Sequence, residues 1–147
     1  MDSMFERAIA FNQPLDAWDV SSVLNMRAAF NDATAFNQSL GTWNISSVTN
    51  MDNMLDSVGM DCTNYDATLI GWEAQGVTGL SLDATGLTYD NGLAARTALT
   101  STHGWTITGD SHVPGCNTVC VVVTAPAEVT NTWIGCNSSD WSDAANW

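Results

Sequence analysis

A 25-residue repeat constrains this chain more than any other feature of its sequence. When residues 26–50 are aligned beneath residues 1–25, 13 of the 25 positions are identical, including the letters FNQxLxxW and SSVxN. A third copy begins at Met51 and leaves the pattern after Gly59. Repeats of this length usually stack so that neighbouring copies share one elongated core. We therefore expect an α/β fold, a short leucine-rich-repeat-like solenoid with 25-residue coils.

Each copy predicts one short helix and one short strand. Apolar residues recur at i, i+3, i+4 and i+7 in the opening residues of each copy, as on one face of a helix. The predicted helices cover residues 1–8, 26–33 and 51–58. Asn25 and Asn50 stand before two of them, where an asparagine side chain can accept a free backbone N–H. Aromatic and β-branched residues predict strands over residues 18–23 and 43–48.

The residues after the third copy predict an α/β closing unit. Tyr65, Leu69 and Trp72 share one helix face, so we expect a helix from Asn64 that ends at Gly76. The predicted elements that follow are a strand and turn over 79–89, a helix from an Asp90 cap to Gly104, and a strand over 105–108.

Domain organisation follows from shifts in composition. We expect the repeats and their closing unit to occupy residues 1–110, and the Pro- and Gly-containing residues 111–120 to form a linker. Residues 121–147 share nothing with the repeat and predict the start of a partial all-β module rich in Trp. Because Met1 already occupies the Met position of the repeat, we expect the chain to begin inside a longer array.

The repeat letters, with NYDATLIGW and HGWTITGD after them, resemble the BspA-like family of bacterial surface proteins, whose 25-residue unit is related to leucine-rich repeats. The resemblance covers residues 1–58 closely and extends to Asp110. It implies a secreted or cell-surface, multi-domain protein that works in adhesion or partner binding, and it carries over no catalytic residues. Relatives often have a cysteine after the tyrosine that corresponds to Tyr89, whereas this chain has Asp90. A disulfide between Cys62 and that position is therefore not expected.

Charge excludes several classes of partner. Three arginines and no lysine stand against 16 acidic residues, which gives a net charge of −13. Such a chain repels nucleic-acid phosphates and anionic membrane surfaces. Membrane insertion is not expected either, because no apolar run reaches the ~18 residues that a span needs.

The four cysteines favour disulfides over metal binding. In an extracellular protein, Cys62, Cys116, Cys120 and Cys136 allow three pairings. A disulfide between two of the last three cysteines would stabilise the tail. Cys62 would then pair with the remaining cysteine or stay free and buried. A zinc site of His112 with Cys116, Cys120 and Cys136 is the alternative, but the spacing does not match paired C-x2-C knuckles.

Neither a cofactor nor a catalytic role is expected. The sequence contains no calcium-binding loop motif, so we interpret the acidic residues as solvated surface charge. If the chain bound calcium, Asp140 and Asp143 would be the best candidate ligands. The histidines are His103, a candidate helix C-cap, and His112 in the linker, and no nucleophile motif accompanies them.

The tryptophans divide into two groups. Four have apolar neighbours and are expected in the core, namely Trp18, Trp43, Trp72 and Trp105. Three lie in the tail, where sugar stacking is conceivable but a core role is favoured, namely Trp133, Trp141 and Trp147.

The expected binding surface is the exposed polar side of the repeats. Equivalent side chains of successive strands would stack in rows about 4.8 Å apart. These rows pair Asp19 with Asn44, Ser21 with Ser46, and Ser22 with Ser47. Asn12 with Asn37, and Asn25 with Asn50, are instead expected to bond backbone groups inside the repeat.

We therefore expect a non-catalytic binding or adhesion segment of a large secreted bacterial surface protein, which recognises an extracellular protein or glycan and adjoins other domains of its parent chain. Two alternatives stay open. In the first, the segment is a structural spacer in a multi-domain secreted protein. In the second, its Trp-rich tail is a glycan-binding accessory region of a secreted enzyme.

Overall fold

Two helices and two small parallel sheets are the regular elements of this chain in a computed structural model that describes residues 1–116. In chain order they are α1 (Cys62–Glu73), β1 (Ser81–Asp83), β2 (Thr88–Tyr89), α2 (Leu93–Ser101), β3 (Thr106–Thr108) and β4 (Ser111–His112). Strand β1 pairs with β3 and strand β2 with β4, both in parallel. The expected β module over 121–147, with Cys120, Cys136 and the three tail tryptophans, lies outside the described residues.

The prediction of a leucine-rich-repeat-like α/β solenoid is wrong. Over the described residues we find two helices and two two-stranded sheets, with no regular series of helix-and-strand coils. The helices predicted over 1–8, 26–33 and 51–58 are turns, and the segments predicted as strands over 18–23 and 43–48 are irregular, with a turn at residues 21–22 and 46–47. Regular structure begins only at α1, after the repeats have ended.

The opening of each copy is a pair of consecutive β-turns. In the first copy Met4 N–H donates to Met1 O at 3.4 Å, and Ala8 N–H donates to Phe5 O at 3.1 Å. The third residue of every such turn has a positive φ between 51° and 57°, as in a type II turn. These residues are Ser3, Arg7, Ala28, Asp32, Asn53 and Ser57. In the second copy the first and last residues of both turns are fully buried, so two successive turns produce the same i, i+3, i+4, i+7 pattern as a helix face.

Backbone hydrogen bonds between copies hold these turns together. Ser3 N–H donates to Arg27 O at 2.8 Å, and Ala28 N–H donates to Asp52 O at 2.9 Å, so equivalent peptide groups line up across all three copies. Two further series pass through the N–H groups of Phe5 and Phe30 and through those of Arg7 and Asp32. We call these three series the peptide columns. They replace the intrahelical bonds that the sequence pattern predicted.

Apolar side chains stack behind the columns in the same order. The Phe5 and Phe30 rings lie 5.2 Å apart and the Phe11 and Phe36 rings 6.0 Å apart, in both cases nearly parallel. Indole N–H groups also join neighbouring segments. The Trp43 indole of the second copy donates to Leu15 O of the first copy at 2.9 Å. The indoles of Trp72 and Trp105 donate in the same way to Leu40 O and Val77 O.

The prediction of core tryptophans is confirmed for Trp43, Trp72 and Trp105, which are at most 4% exposed. It is wrong for Trp18, which is 41% exposed. Trp18 belongs to the first copy, and none of the described residues packs against the outer side of that copy.

The two helices of the closing unit are confirmed, but their bounds differ from the prediction. They end at Glu73 and Ser101, three residues before Gly76 and Gly104. Helix α1 begins at Cys62 and not at Asn64, because the Asp61 carboxylate caps it by accepting Asn64 N–H at 2.9 Å. Helix α2 has Gly92 at its N-cap without a side-chain cap, so the predicted Asp90 cap is wrong. The strand expected over 105–108 is confirmed as β3.

Helix α1 packs against the second copy through two glycines. A Cβ added at Gly71 would lie 2.2 Å from Gly41 O, and one added at Gly41 would lie 2.3 Å from Ala67 O. Only hydrogen fits at either position. The close approach brings Trp72 of the helix into hydrogen-bond range of Leu40 O.

A disulfide joins Cys62, at the start of α1, to Cys116, with the two Cα atoms 5.9 Å apart. Cys62 is therefore neither free nor paired at the position of Asp90. Instead, the Asp90 carboxylate accepts Gly115 N–H at 2.9 Å and so holds the loop that carries Cys116. The first residues of the expected linker belong to this arrangement, since Ser111–His112 is β4 and pairs with β2.

The turn geometry predicts opposite outcomes for two neighbouring alanines. Ala28 has a φ of +51°, so Ala28→Gly relieves backbone strain, and we expect the free energy of unfolding to rise by about 0.5 to 1 kcal/mol. Ala29 is also buried but has an ordinary φ, so Ala29→Gly is expected to lower it by about 1 kcal/mol. Urea denaturation of both variants measures the difference, and a loss of stability in both would contradict the assigned turns.

Because of the contact between α1 and the second copy, we expect a Gly→Ala substitution in α1 to lower the free energy of unfolding. In a helix interior, Gly→Ala ordinarily stabilises by up to about 1 kcal/mol. Gly71→Ala is instead expected to destabilise by about 2 kcal/mol, because the new methyl group overlaps Gly41 O. Ala67→Gly, one turn earlier at an exposed position, is the matched control and should follow propensity with a loss of about 1 kcal/mol. Thermal denaturation of the two variants tests this, and a more stable Gly71→Ala chain would disprove the contact.

Candidate functional site

The six predicted binding residues occupy the same two turns in the first and second copies. Asp19 Oδ1 accepts Ser21 N–H at 3.0 Å, and Asn44 Oδ1 accepts Ser46 N–H at 3.1 Å. Each is an Asx turn, the local hydrogen bond that a short polar side chain makes to a backbone group two residues on. The expected strand rows are thus replaced by two equivalent turns.

A β-turn follows each Asx turn and places the serines at its centre. Val23 N–H donates to Val20 O at 2.8 Å, and Val48 N–H donates to Ile45 O at 3.0 Å. The apolar ends of these turns point to the core while their central serines face outward. We call the resulting surface the serine face. It consists of Asp19, Ser21, Ser22, Asn44, Ser46 and Ser47, of which Ser21 and Ser47 are half-buried and the others exposed.

Contacts beside the serine face bind the two copies to each other. Thr49 donates to Leu24 O through both its N–H, at 2.8 Å, and its hydroxyl, at 3.0 Å. Asn25 and Asn50 form a parallel bridge one residue further on. The relative position of the two turns is therefore fixed by backbone bonds and does not depend on the serines.

Hydrogen bonds from Ser21 stabilise the charge on Asp19. The Ser21 hydroxyl, and after it the Ser21 N–H, lower the pKa of the Asp19 carboxyl below its ordinary value. The matching position in the second copy is Asn44, which is neutral. The serine face thus presents one carboxylate, one amide and four hydroxyl groups.

The predicted asparagine contacts to backbone groups are confirmed. Asn12 Oδ1 accepts Asn37 N–H at 2.8 Å, and Asn37 Oδ1 accepts Asp61 N–H at 2.8 Å. Asn25 and Asn50 each accept the N–H two residues on, at 2.9 Å. These four asparagines are therefore engaged within the fold.

A polar cleft beside the asparagine contacts is a candidate site that the sequence analysis missed. It has a volume of about 230 Å³. Its walls are Pro14, Leu15, Asp16, Gln38, Ser39, Thr42 and Asn64. Most of these residues belong to or adjoin the repeated FNQxL letters, and this repetition was the only sign of the cleft in the sequence. Asn64 comes from α1, and no sequence spacing indicates its approach.

A second cleft lies between the two helices. It measures about 510 Å³ and is lined by Ile70 and Glu73 of α1, by Ala94, Ala95 and Ala98 of α2, and by Asn91. Its walls are mainly small or apolar, and Ile70 is 47% exposed. It offers shape and apolar area but few polar groups to orient a ligand.

The buried charged groups of the closing unit stabilise the fold. Asp110, whose side chain is 1% exposed, accepts two bonds from the Arg96 guanidinium, at 2.9 and 3.2 Å, and one from the Tyr65 hydroxyl at 3.1 Å. Burial, and then the charge of Asp110, raise the pKa of Tyr65 well above its ordinary value. The hydrogen bond to Asp110 raises the pKa of Arg96.

Each of the two histidines lies beside one carboxylate. His103 Nε2 is 3.6 Å from Glu73 Oε1, and His112 Nε2 is 3.5 Å from Asp90 Oδ1. Within residues 1–116, no group of three or more His, Cys, Asp or Glu side chains is arranged to hold a metal ion. Cys116 is bonded to Cys62, which removes one thiolate from the considered zinc site. Its other cysteines, and Asp140 and Asp143, lie outside the described residues.

All three arginines of the chain are paired with acids. Arg7 lies 3.8 Å from Asp32, Arg27 lies 3.7 Å from Asp2, and Arg96 binds Asp110. Acidic residues outnumber arginines by 16 to three, and the chain carries a net charge of −13.

Comparison with known protein families gives a match over more than half of the chain. Residues 1–86 match the family described as "Mycoplasma protein of unknown function, DUF285". No curated protein and no solved structure matches the chain. Within the described part of the chain, no helix is long and apolar enough to cross a membrane.

The buried cluster of Tyr65 predicts a loss of stability at alkaline pH. The folded state holds the Tyr65 proton to higher pH than the unfolded state, whose phenol titrates at about 10. Above that pH the unfolded state binds fewer protons, so the free energy of unfolding falls as pH rises. Tyr65→Phe should remove this part of the pH dependence.

Absorbance titration tests the assignment directly. In a Tyr89→Phe variant, Tyr65 is the remaining tyrosine of the two in the chain. Its phenolate absorbance is expected to appear only well above pH 10, together with unfolding followed by circular dichroism. Ionisation at about pH 10 in a chain that stays folded would show that Tyr65 is not buried against Asp110.

Proposed function

The chain belongs to the DUF285 family of proteins of unknown function, and we propose, from its own geometry, that it is a non-catalytic binding segment that recognises an extracellular protein or glycan. The observation that carries this proposal is the serine face, on which two copies present the same polar turn in the same local geometry. The apolar residues of these turns stabilise the core, whereas the serines are not needed to join the copies.

The chemistry of the serine face suits a hydroxyl- or amide-rich partner. Serine hydroxyls both donate and accept hydrogen bonds, and the Asn44 amide does the same. Asp19 adds a charged acceptor, and hydrogen bonds to charged groups are stronger than neutral ones. A partner with repeated polar groups, such as a glycan or an extended peptide, can satisfy two equivalent turns at once, which raises its apparent affinity.

A location outside the cytoplasm is part of this proposal. Disulfides such as Cys62–Cys116 persist mainly in oxidising compartments. The repeat letters also resemble those of BspA-like surface proteins. Both observations favour a secreted or cell-surface protein in which this segment adjoins other domains.

The spacer function is the second candidate, and one observation favours it. The three copies are joined by continuous backbone bonds in the peptide columns, so the segment resists bending by itself. A spacer needs the stack but not the serine face, which makes the two functions separable by mutation.

Binding to an array of glycans and extracellular matrix proteins tests the proposal. We expect saturable binding that weakens ~10-fold or more in a Ser22→Arg, Ser46→Arg double variant, since both positions are exposed. The matched control is Ser81→Arg with Ser101→Arg, which adds the same charge at exposed positions of β1 and α2. Equal loss in both variants, or no binding by the unaltered chain, would contradict recognition by the serine face; in the second case the spacer function would stand.

A further inference from the structure

The polar cleft lies where three parts of the fold meet, and hydrogen bonds between these parts hold its walls in place. Residues 14–16 come from the first copy, residues 38, 39 and 42 from the second, and Asn64 from α1. The Trp43 indole joins the two copies by donating to Leu15 O at 2.9 Å. Asn64 joins α1 to the second copy by donating to Asn37 O at 3.1 Å. The walls are therefore fixed before a ligand enters, which lowers the entropic cost of binding.

Several polar groups of the cleft do not follow from the repeat. Three of them stand at positions where the two copies differ: Asp16 corresponds to Gly41, Ser39 to Pro14, and Thr42 to Ala17. The asparagines that join the copies, by contrast, are identical in both. The polar character of the cleft is therefore not a consequence of stacking one copy on the next.

Two amide side chains of the cleft have oxygens that are free to accept hydrogen bonds. Gln38 Nε2 donates to Asn12 Oδ1 at 2.9 Å. Asn64 Nδ2 donates both of its hydrogens to Asn37, to the backbone oxygen at 3.1 Å and to Oδ1 at 2.8 Å. Within residues 1–116, no donor bonds the side-chain oxygen of Gln38 or of Asn64. An amide oxygen has two lone pairs, so both groups can accept from a ligand.

The other polar side chains of the cleft are also available. Ser39 Oγ accepts Gly41 N–H at 3.2 Å, which leaves its hydroxyl hydrogen to donate. Asp16 and Thr42 are exposed, and neither side chain makes a hydrogen bond or ion pair with another described residue. In the described part of the chain, every buried side-chain nitrogen or oxygen has a partner, so the free polar atoms of the cleft are open to solvent.

This set of groups favours a ligand that carries several hydroxyl groups. A hydroxyl both donates and accepts, so neighbouring hydroxyls can use acceptors and hydroxyl donors in one site. An anion is disfavoured, because none of the seven lining residues is basic and the chain carries a net charge of −13. A metal ion is disfavoured as well. Asp16 is the single carboxylate among the lining residues, whereas calcium sites usually combine several.

The size of the cleft and its apolar wall favour one sugar ring. Its volume of about 230 Å³ is below the ~300 to 1,000 Å³ of sites for drug-sized ligands. Pro14 is exposed and lines the cleft together with the polar groups, so it offers an apolar surface. A pyranose carries hydroxyl groups around its rim and C–H groups on its faces, and it can therefore use both kinds of wall.

We propose that the polar cleft binds one pyranose ring. Asp16, Gln38 and Asn64 accept hydrogen bonds from the sugar hydroxyls, and Ser39 and Thr42 donate to them. The ring places one face against the apolar wall. None of the residues of the serine face lines the cleft, so this binding site is separate from that surface and does not rest on its proposed function.

Amide chemical shifts of the whole chain test the proposal, with glucose, galactose and N-acetylglucosamine as probes, each as the free sugar and as its methyl glycoside. We expect at least one probe to shift Gln38, Ser39 and Asn64 saturably, with a Kd on the order of 1 mM. Thr42→Tyr fills the cleft from an exposed position and should weaken binding ~10-fold or more. Thr34→Tyr, at an exposed threonine of the same copy outside the cleft, is the matched control and should leave the Kd unchanged.

Asp16→Asn distinguishes a sugar from a cation. The asparagine oxygen still accepts from a hydroxyl, so we expect the Kd for the sugar to rise only ~3-fold to 10-fold. Calcium chloride alone should leave the amides of the cleft unshifted. Calcium-induced shifts at these amides that disappear in Asp16→Asn would show a cation site and overturn the proposal.

Two further results would overturn it, namely no shift in the cleft with any probe, and equal affinity in Thr42→Tyr and Thr34→Tyr. Probe shifts confined to the serine face would do the same while supporting the proposed function. Conversely, shifts in the cleft by a chain that binds nothing on the array would support the cleft and contradict recognition by the serine face. Binding of a methyl glycoside identifies the ring as a residue within a glycan, and binding of the free sugar alone identifies a monosaccharide.

Discussion

The hydrogen bonds between equivalent peptide groups of successive copies are the interaction on which the rest of the structure depends. A pair of β-turns leaves its central N–H and C=O groups pointing along the stack, where they need partners. The next copy supplies them, at 2.7 to 3.1 Å in the three peptide columns. This requirement keeps the copies in register and brings Phe5 over Phe30, and it explains why six residues other than glycine accept a positive φ.

The closing unit satisfies the same requirement with different elements. The third copy donates from Leu55 and Ser57 to residues 83 and 85, at β1 and just after it, so a short strand takes over where the repeated turns end. Helix α1 then covers the apolar side of the second copy through the contact between Gly41 and Gly71. The disulfide from Cys62 to Cys116 fixes the start of that helix to the loop that follows β4. The backbone N–H groups at the end of the repeats thus find their acceptors in the closing unit.

The sequence predicts the repeat, its period and most of its buried side chains, but not the backbone that carries them. Tyr65, Leu69 and Trp72 correctly indicate a helix, because no tandem copy competes for the backbone groups of this segment. The residues of the repeats show the same spacing and form turns. Periodicity records which side chains point inward and cannot distinguish a helix face from two consecutive turns, since the choice depends on N–H partners in another copy. The polar cleft was missed because Asn64 reaches it from α1, and no spacing in the sequence indicates that approach.

The positions of the serine face could be predicted because they follow from the repeat and not from its secondary structure. Ser21 and Ser46 stand at matching positions whether the segment is a strand or a turn, and neither is fully buried. What the turn changes is the geometry of the surface. A strand would present a flat row of side chains, whereas each Asx turn followed by a β-turn projects two serines from a tight bend. The serine face therefore consists of two separate polar turns that backbone bonds hold at a fixed separation, and under the proposed function this shape suits a partner with polar groups spaced to match.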